Sequence, residues 1–181
     1  AYFYHQLIFG LGLGLALAFL IYKIPYRKWR IFALPILLVS IFFLLLVFIP
    51  SFSSEAGGAR RWINLAGFSF QPAEFAKLGF IIYLAAWFEG RQAMNKRWSE
   101  GFVPFLIIVG VLSALIILQP DVGTLGVITL TAMFMYFLAG ASLAQMAAIT
   151  SFGAGLIFVL IKTAPYRAER VMAFFNISVD P

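Results

Sequence analysis

A chain of 181 residues with 63% hydrophobic and only 11% charged residues is far from a soluble domain, in which about a quarter of residues are charged. The composition points instead to an all-α, polytopic transmembrane helical bundle. It forms a single membrane domain over 1–181, with room for about six spans of about 20 residues each. The absence of cysteine rules out disulfides, thiolate metal sites and Cys nucleophiles, and the net charge of +6 sits in loops flanking apolar runs, a topogenic and lipid-headgroup pattern that excludes nucleic acid as a partner.

The first expected span covers about 2–22 and carries no charge. Its Gly10 and Gly14 form a GxxxG pair able to seat another helix. The Gly-Leu-Gly-Leu-Gly run there follows no strand and is not a phosphate loop. His5, the only histidine, reads as a helix-end residue in preference to a catalytic one. A basic loop, Lys23 to Arg30, precedes a span at 31–50 in which Pro35 marks a kink. A polar loop at 51–73 follows.

The third span, about 74–89, is anomalous. Its uncharged run, Leu78 to Phe88, is only 11 residues, too short to cross about 30 Å of hydrocarbon at about 1.5 Å per residue. Either Glu74 and Lys77 lie at membrane depth or this helix is partly enclosed by its neighbours, and in both cases the two residues are expected to be directed towards a protected polar cavity. A second basic loop from Glu89 to Glu100 leads to a span at 101–119. The 40 uncharged residues from Val122 to Ile161 are twice a crossing, and Gly140-Ala141-Ser142 divides them into spans at 122–140 and 143–162. An Arg-rich tail, 163–181, has apolar residues enough to lie along a lipid surface.

Orientation follows from Lys and Arg counts. The loops on one side hold seven and those on the other five, which puts 23–30 and 90–100 in the cytoplasm and the Arg60–Lys77 block, Asp121 and the tail outside.

The longest polar interruption, Gly58 to Lys77, concentrates the candidate chemistry, because ionisable groups beside hydrocarbon are costly and usually functional. Pro72 suits the first position of a helix, and Glu74 then falls where it can cap free backbone donors. Glu74 and Lys77 share one face. Two readings stand: a neutralised capping pair, or a site in which Lys77 and a helix N-terminus face an anion such as a lipid diphosphate. Arg60, Arg61 and Trp62 read either as an interfacial anchor or as a phosphate clamp, since bidentate phosphate binding suits arginine. Asp121, in Gln119-Pro120-Asp121-Val122-Gly123-Thr124, reads as the N-cap of the next helix or as a group that orients a sugar hydroxyl or a metal, or pairs with Lys77. No His/Asp/Glu cluster has metal-ligand spacing, and no Ser-His pair suggests a nucleophile.

At these residues the chain resembles the SEDS (shape, elongation, division and sporulation) family, the RodA/FtsW/SpoVE-like peptidoglycan glycosyltransferases. The resemblance rests on four ordered motifs: Gly58 to Ile63, Gln71 to Lys77, Gln119 to Thr124, and Tyr166 to Val171 ahead of Asp180-Pro181. Ala73 stands where the family usually has Ser. The resemblance implies a ten-span bacterial cytoplasmic-membrane protein active at its outer face in division or elongation. It implies lipid II as substrate and a class B penicillin-binding protein, a transpeptidase, as partner. It also implies that the later block holding the family's catalytic aspartate lies beyond Pro181. Since Ala1 is no initiator Met and the chain stops in a polar segment, an internal fragment, inactive alone, is expected.

In the implied inverting transfer, Arg61 and Lys77 stabilise the departing diphosphate, and a divalent cation, Mg or Mn, would serve the same purpose. Glu74 positions Lys77, and Asp121 shapes the polar cavity. Arg60, Trp62, Gln71, Arg167 and Arg170 complete the expected substrate contacts. The alternatives are a lipid II flippase, which needs polar groups at the bilayer midplane, and a non-catalytic partner of the transpeptidase.

Overall fold

The structure is a computed structural model and describes residues 10–50, 52–56, 59–65, 68–119 and 121–163. Seven α-helices and one three-stranded sheet are described. They are α1 (Leu13–Tyr22), α2 (Tyr26–Leu46), strands β1 (Ser53–Ala56), β2 (Ala59–Leu65) and β3 (Phe68–Phe70), then α3 (Pro72–Phe88), a short α4 (Gln92–Asn95), α5 (Val103–Leu118), α6 (Val122–Leu138) and α7 (Leu143–Thr163). A π-helical turn, Trp98–Phe102, leads into α5.

Each bundle helix buries one stripe and turns an apolar surface outward. In α2 the buried residues are Ala33, Leu37, Ser40 and Leu44, three or four apart as one helical face requires. They meet Ala76, Phe80 and Leu84 of α3 and, beyond them, Leu112 and Ile116 of α5 and Ile128 and Ala132 of α6. Outside this core, Phe32, Leu34, Leu38, Phe42 and Leu45 are exposed on α2 alone. Only 22% of its most apolar window is buried. That is the reverse of a soluble core helix and suits a surface solvated by lipid. Helix α2 and the continuous Trp98–Leu118 segment are each 21 residues, long and apolar enough to cross a membrane.

α2 and α3 approach most closely where Gly79 faces Ser40. A Cβ at Gly79 would lie 2.5 Å from Ser40 Oγ and 3.3 Å from the Ile36 carbonyl, so the contact exists only because there is no side chain.

Two expectations need correcting. The basic segment ending at Arg30, read as loop, is helical from Tyr26 onward. Arg and Lys are good helix formers, and their long stems can run along apolar surface while the charge stays at its edge. The polar loop at 51–73 holds the antiparallel sheet, in order β1-β2-β3. Its register runs Ser53↔Ile63 and Ser54↔Trp62, then shifts to Glu55↔Arg60. Arg61 is thus the inserted residue of a β-bulge. β3 is tied to the bundle by Phe70, whose ring meets Phe43 of α2 edge-on at 5.4 Å.

The α6–α7 turn forms where the small residues predicted it. Gly140 has φ 93°, a left-handed conformation that suits glycine. Ser142 and Gln145 then bond reciprocally, Ser142 N to Gln145 Oε1 at 2.8 Å and Gln145 N to Ser142 Oγ at 3.3 Å, a capping box. The Asn95 carbonyl accepts from Tyr136 Oη at 2.8 Å and Gln145 Nε2 at 3.2 Å. Asn95 Nδ2 donates to the Ala139 carbonyl at 3.0 Å. The short α4 is thereby closed over the end of the bundle opposite the sheet.

Candidate functional site

The sheet, the start of α3, the end of α5 and the start of α6 converge at one end of the bundle. Asp121 is their common point. It is the N-cap of α6, and its Oδ1 accepts from Thr124 N at 3.1 Å. Oδ2 accepts from Thr124 Oγ1 at 2.8 Å and from Gln71 Nε2 at 3.0 Å. Arg61 Nη1 stands 3.9 Å from Oδ1. Three hydrogen bonds thus reach the carboxylate, and the arginine adds an ion pair at a separation beyond hydrogen-bond reach. Asp121, only 7% exposed, is therefore anchored, which suits a group that holds others in place.

Arg61 reaches this point from β2, at the bulge. Along β2, alternate residues face alternate sides, and Ile63, two residues on, is fully buried. Arg61 shares that inward side, and a bulge is a common device for re-aiming a side chain beside a site. Its Nε donates to the Gln119 carbonyl at 3.1 Å. Gln119 in turn donates through Nε2 to the Leu44 carbonyl at 3.1 Å, near the end of α2, where carbonyls lack helical donors. Gln119 thus joins the sheet, α2 and α5. Sequence reasoning placed Gln119 in a motif but gave neither it nor Thr124 a role. The available signal was an amide at the end of an apolar run; the structure buries it to 2% exposure, and buried polar side chains are almost always bonded.

Asp121 was offered Lys77 as a partner, but its ion pair is with Arg61. Lys77 Nζ lies 2.7 Å from Glu74 Oε1. Pro72 does occupy the first turn of α3, with Gln71 as N-cap. Glu74 does not face an enclosed cavity within this chain, since its side chain is 59% exposed, whereas that of Lys77 is 25% exposed. The reason is helical phase: Ala73, Ala76, Gly79 and Phe80 take the buried face of α3, and Glu74 is turned about 100° away from Ala73. Trp62 is half-buried on β2, and Arg60 belongs to the same strand. His5, Arg167 and Arg170 lie outside the described residues.

Among the described residues no group of three or more His, Asp or Glu side chains could hold a metal ion. Glu74 and Asp121 each already face a cation. This donor set does not fit a divalent ion held by these residues alone.

An apolar bundle with ionisable groups gathered at its ends, and an arginine clamped inward at one of them, defines a polytopic helical membrane protein. Its polar site lies at one mouth. The family profile described as cell cycle protein, covering FtsW, RodA and SpoVE, matches residues 1–181, and the chain belongs to that family. It is 36% identical to a probable peptidoglycan glycosyltransferase FtsW of Geobacter sulfurreducens over 169 residues, 93% of this chain and 45% of that protein. It is likewise 36% identical to stage V sporulation protein E of Bacillus subtilis over 176 residues, 97% of this chain and 48% of the other. Among solved structures, a chain of a peptidoglycan synthase complex superposes with a TM-score of 0.74 at 30% identity, covering 94% of this chain and 50% of that one. The rod shape determining protein RodA of Thermus thermophilus does so with a TM-score of 0.68 at 30% identity, covering 80% and 47%. The chain spans about half the length of the curated relatives it matches.

Proposed function

We propose that the full-length protein carrying this sequence polymerises glycan strands of peptidoglycan from lipid II at the outer face of the cytoplasmic membrane, together with a transpeptidase of the penicillin-binding class. The observation that carries the reading is Arg61, standing at the mouth of the bundle beside a β-bulge and braced by Gln119 and Asp121. A guanidinium fixed beside an apolar bundle suits the diphosphate of a lipid-linked sugar. The similarity to proteins named as peptidoglycan glycosyltransferases supports the same chemistry.

In the proposed reaction an acceptor sugar hydroxyl attacks the anomeric carbon of the donor. The bond from that carbon to the diphosphate breaks with inversion, and the diphosphate leaves with the bonding electrons. Arg61 and Lys77 offset that developing charge, and Glu74 orients Lys77. The hydroxyl proton goes to a base. Asp121, held by three hydrogen bonds, keeps a positioning role. The reading assigns the step to the family's later aspartate, which the resemblance places after Pro181. Trp62, Gln71 and Arg60 would line the approach of the sugar.

The transporter alternative requires ionisable groups at mid-depth, and the central turns of α2, α5 and α6 contain none. Purified full-length protein given lipid II separates the readings, since only the polymerase makes a glycan polymer. In that assay folded Arg61→Ala or Lys77→Ala variants should lose about 10²–10³-fold in rate, the cost of removing one charge-stabilising donor. Wild-type rates would overturn the assignment, and a defect confined to transpeptidase binding would favour the non-catalytic reading.

A further inference from the structure

At the end of the bundle opposite the sheet, the first turns of α2 and the last turns of α3 enclose a cavity of about 620 Å³. Its depth is apolar, with Ile82 and Ala86 of α3 among its walls, and its rim carries Arg27, Arg30, Trp29 and Glu89. Nothing in the reading of the opposite mouth uses these residues. The rim charge runs against local helix preference, because the first turn of α2 contains Arg27 and Lys28 and no acid, whereas a helix N-terminus favours negative groups. Glu89 is the one acid on the rim, and it lies 3.4 Å from Arg30. The Arg27 guanidinium lies over the Tyr26 ring, 5.9 Å from its centre, so that the cation is held beside an aromatic surface at the rim.

We propose that this groove is a binding site for one anionic diacyl phospholipid. Its phosphate is received by Arg27 and Arg30, and an acyl chain lies along Ile82 and Ala86. The occupant follows from the graded chemistry. Two guanidiniums suit a phosphodiester better than they suit a neutral partner, and Trp29 stands where aromatic side chains mark a headgroup layer. Apolar walls directly below that rim suit hydrocarbon. Basic pockets between membrane helices are established lipid sites in general. Glu89 competes with the phosphate for Arg30, so its neutralisation should tighten binding.

The test uses full-length protein in nanodiscs of phosphatidylcholine with a minor share of phosphatidylglycerol, and native mass spectrometry to count the lipid that remains bound. The wild type should retain one phosphatidylglycerol. With the phosphatidylglycerol share varied, Arg27→Gln/Arg30→Gln should raise the share needed for half-occupancy about tenfold, the effect of losing a charged hydrogen bond, and Glu89→Gln should lower it. Ala86→Phe keeps every charge and fills the groove, so it should also abolish retention. Thermal unfolding confirms that each variant is folded, and if Ala86→Phe is not, Ile82→Trp replaces it. Equal losses from Lys96→Gln/Arg97→Gln, which remove two bases elsewhere at the same end, would mean diffuse surface attraction and overturn the site. So would retention unaffected by filling the groove, or no retained lipid in the wild type because another part of the protein covers it.

Discussion

At the scale of single residues, Asp121 shows how one carboxylate can organise a site without reacting in it. It caps α6 through Thr124, fixes the amide of Gln71 at the entry to α3, and faces Arg61 from the sheet. Replacing it with alanine removes a cap worth about 1 kcal/mol and leaves two buried or half-buried donors poorly satisfied. The total loss of stability should be about 2–3 kcal/mol. Asp121→Asn keeps an acceptor for Thr124 N and should recover about half of that loss. Thermal unfolding in detergent checks both, and equal melting temperatures for wild type and Asp121→Ala would refute the keystone role. The cap was legible in the sequence because capping is local: an acid after Pro120, just before an apolar run. So was Pro72 at the start of α3. The pairing of Asp121 with Arg61 was not legible, since 60 positions separate them and the bulge that joins them leaves no local mark.

Among elements, the helices were readable from their apolar runs and the sheet was not. The strands have four, seven and three residues, and β2, Ala-Arg-Arg-Trp-Ile-Asn-Leu, breaks the strict polar–apolar alternation that identifies a strand. Gly57-Gly58 between two such runs was the one available hairpin signal. The close packing of α2 on α3 was equally hidden, because a glycine in an apolar run does not say what it faces. Gly79→Ala should cost about 1–3 kcal/mol by overpacking against Ser40 and the α2 backbone. Ser40→Gly in the same chain should restore part of it, and stability measured across the four proteins of that double-mutant cycle reveals the coupling. Strict additivity would mean the two helices do not meet there.

For the molecule as a whole, the two ends carry different kinds of polarity. The sheet end brings together groups distant in sequence, Arg61, Gln71 and Asp121, around one buried carboxylate. The other end presents exposed ion pairs, Arg30 with Glu89 and Arg97 with Glu100, which contribute little to stability. By the excess of Lys and Arg in the segments at 23–30 and 90–100, that end is expected to face the cytoplasm. The absence of cysteine in this sequence makes the orientation directly measurable. In otherwise cysteine-free full-length protein, Ser69→Cys should react with a membrane-impermeant maleimide on intact spheroplasts, and Met94→Cys only after permeabilisation. The reverse pattern would move the proposed chemistry to the wrong compartment and sink it. Membrane class and family were legible in the sequence because hydrocarbon imposes composition. The site was legible only as a set of residues, since its assembly depends on strand register.

That register gives the adjacent arginines a meaning of their own. If Arg61 were deleted outright, the bulge would vanish and Arg60 would become the immediate neighbour of Trp62, in a regular ladder against Ser54 and Glu55. Because one residue changes the face of a strand, Arg60 would inherit the inward position. The doublet thus behaves as a spare in one direction: a one-residue slip that moves Arg60 into the place of Arg61 still brings a guanidinium to Asp121, whereas the opposite slip would bring Trp62.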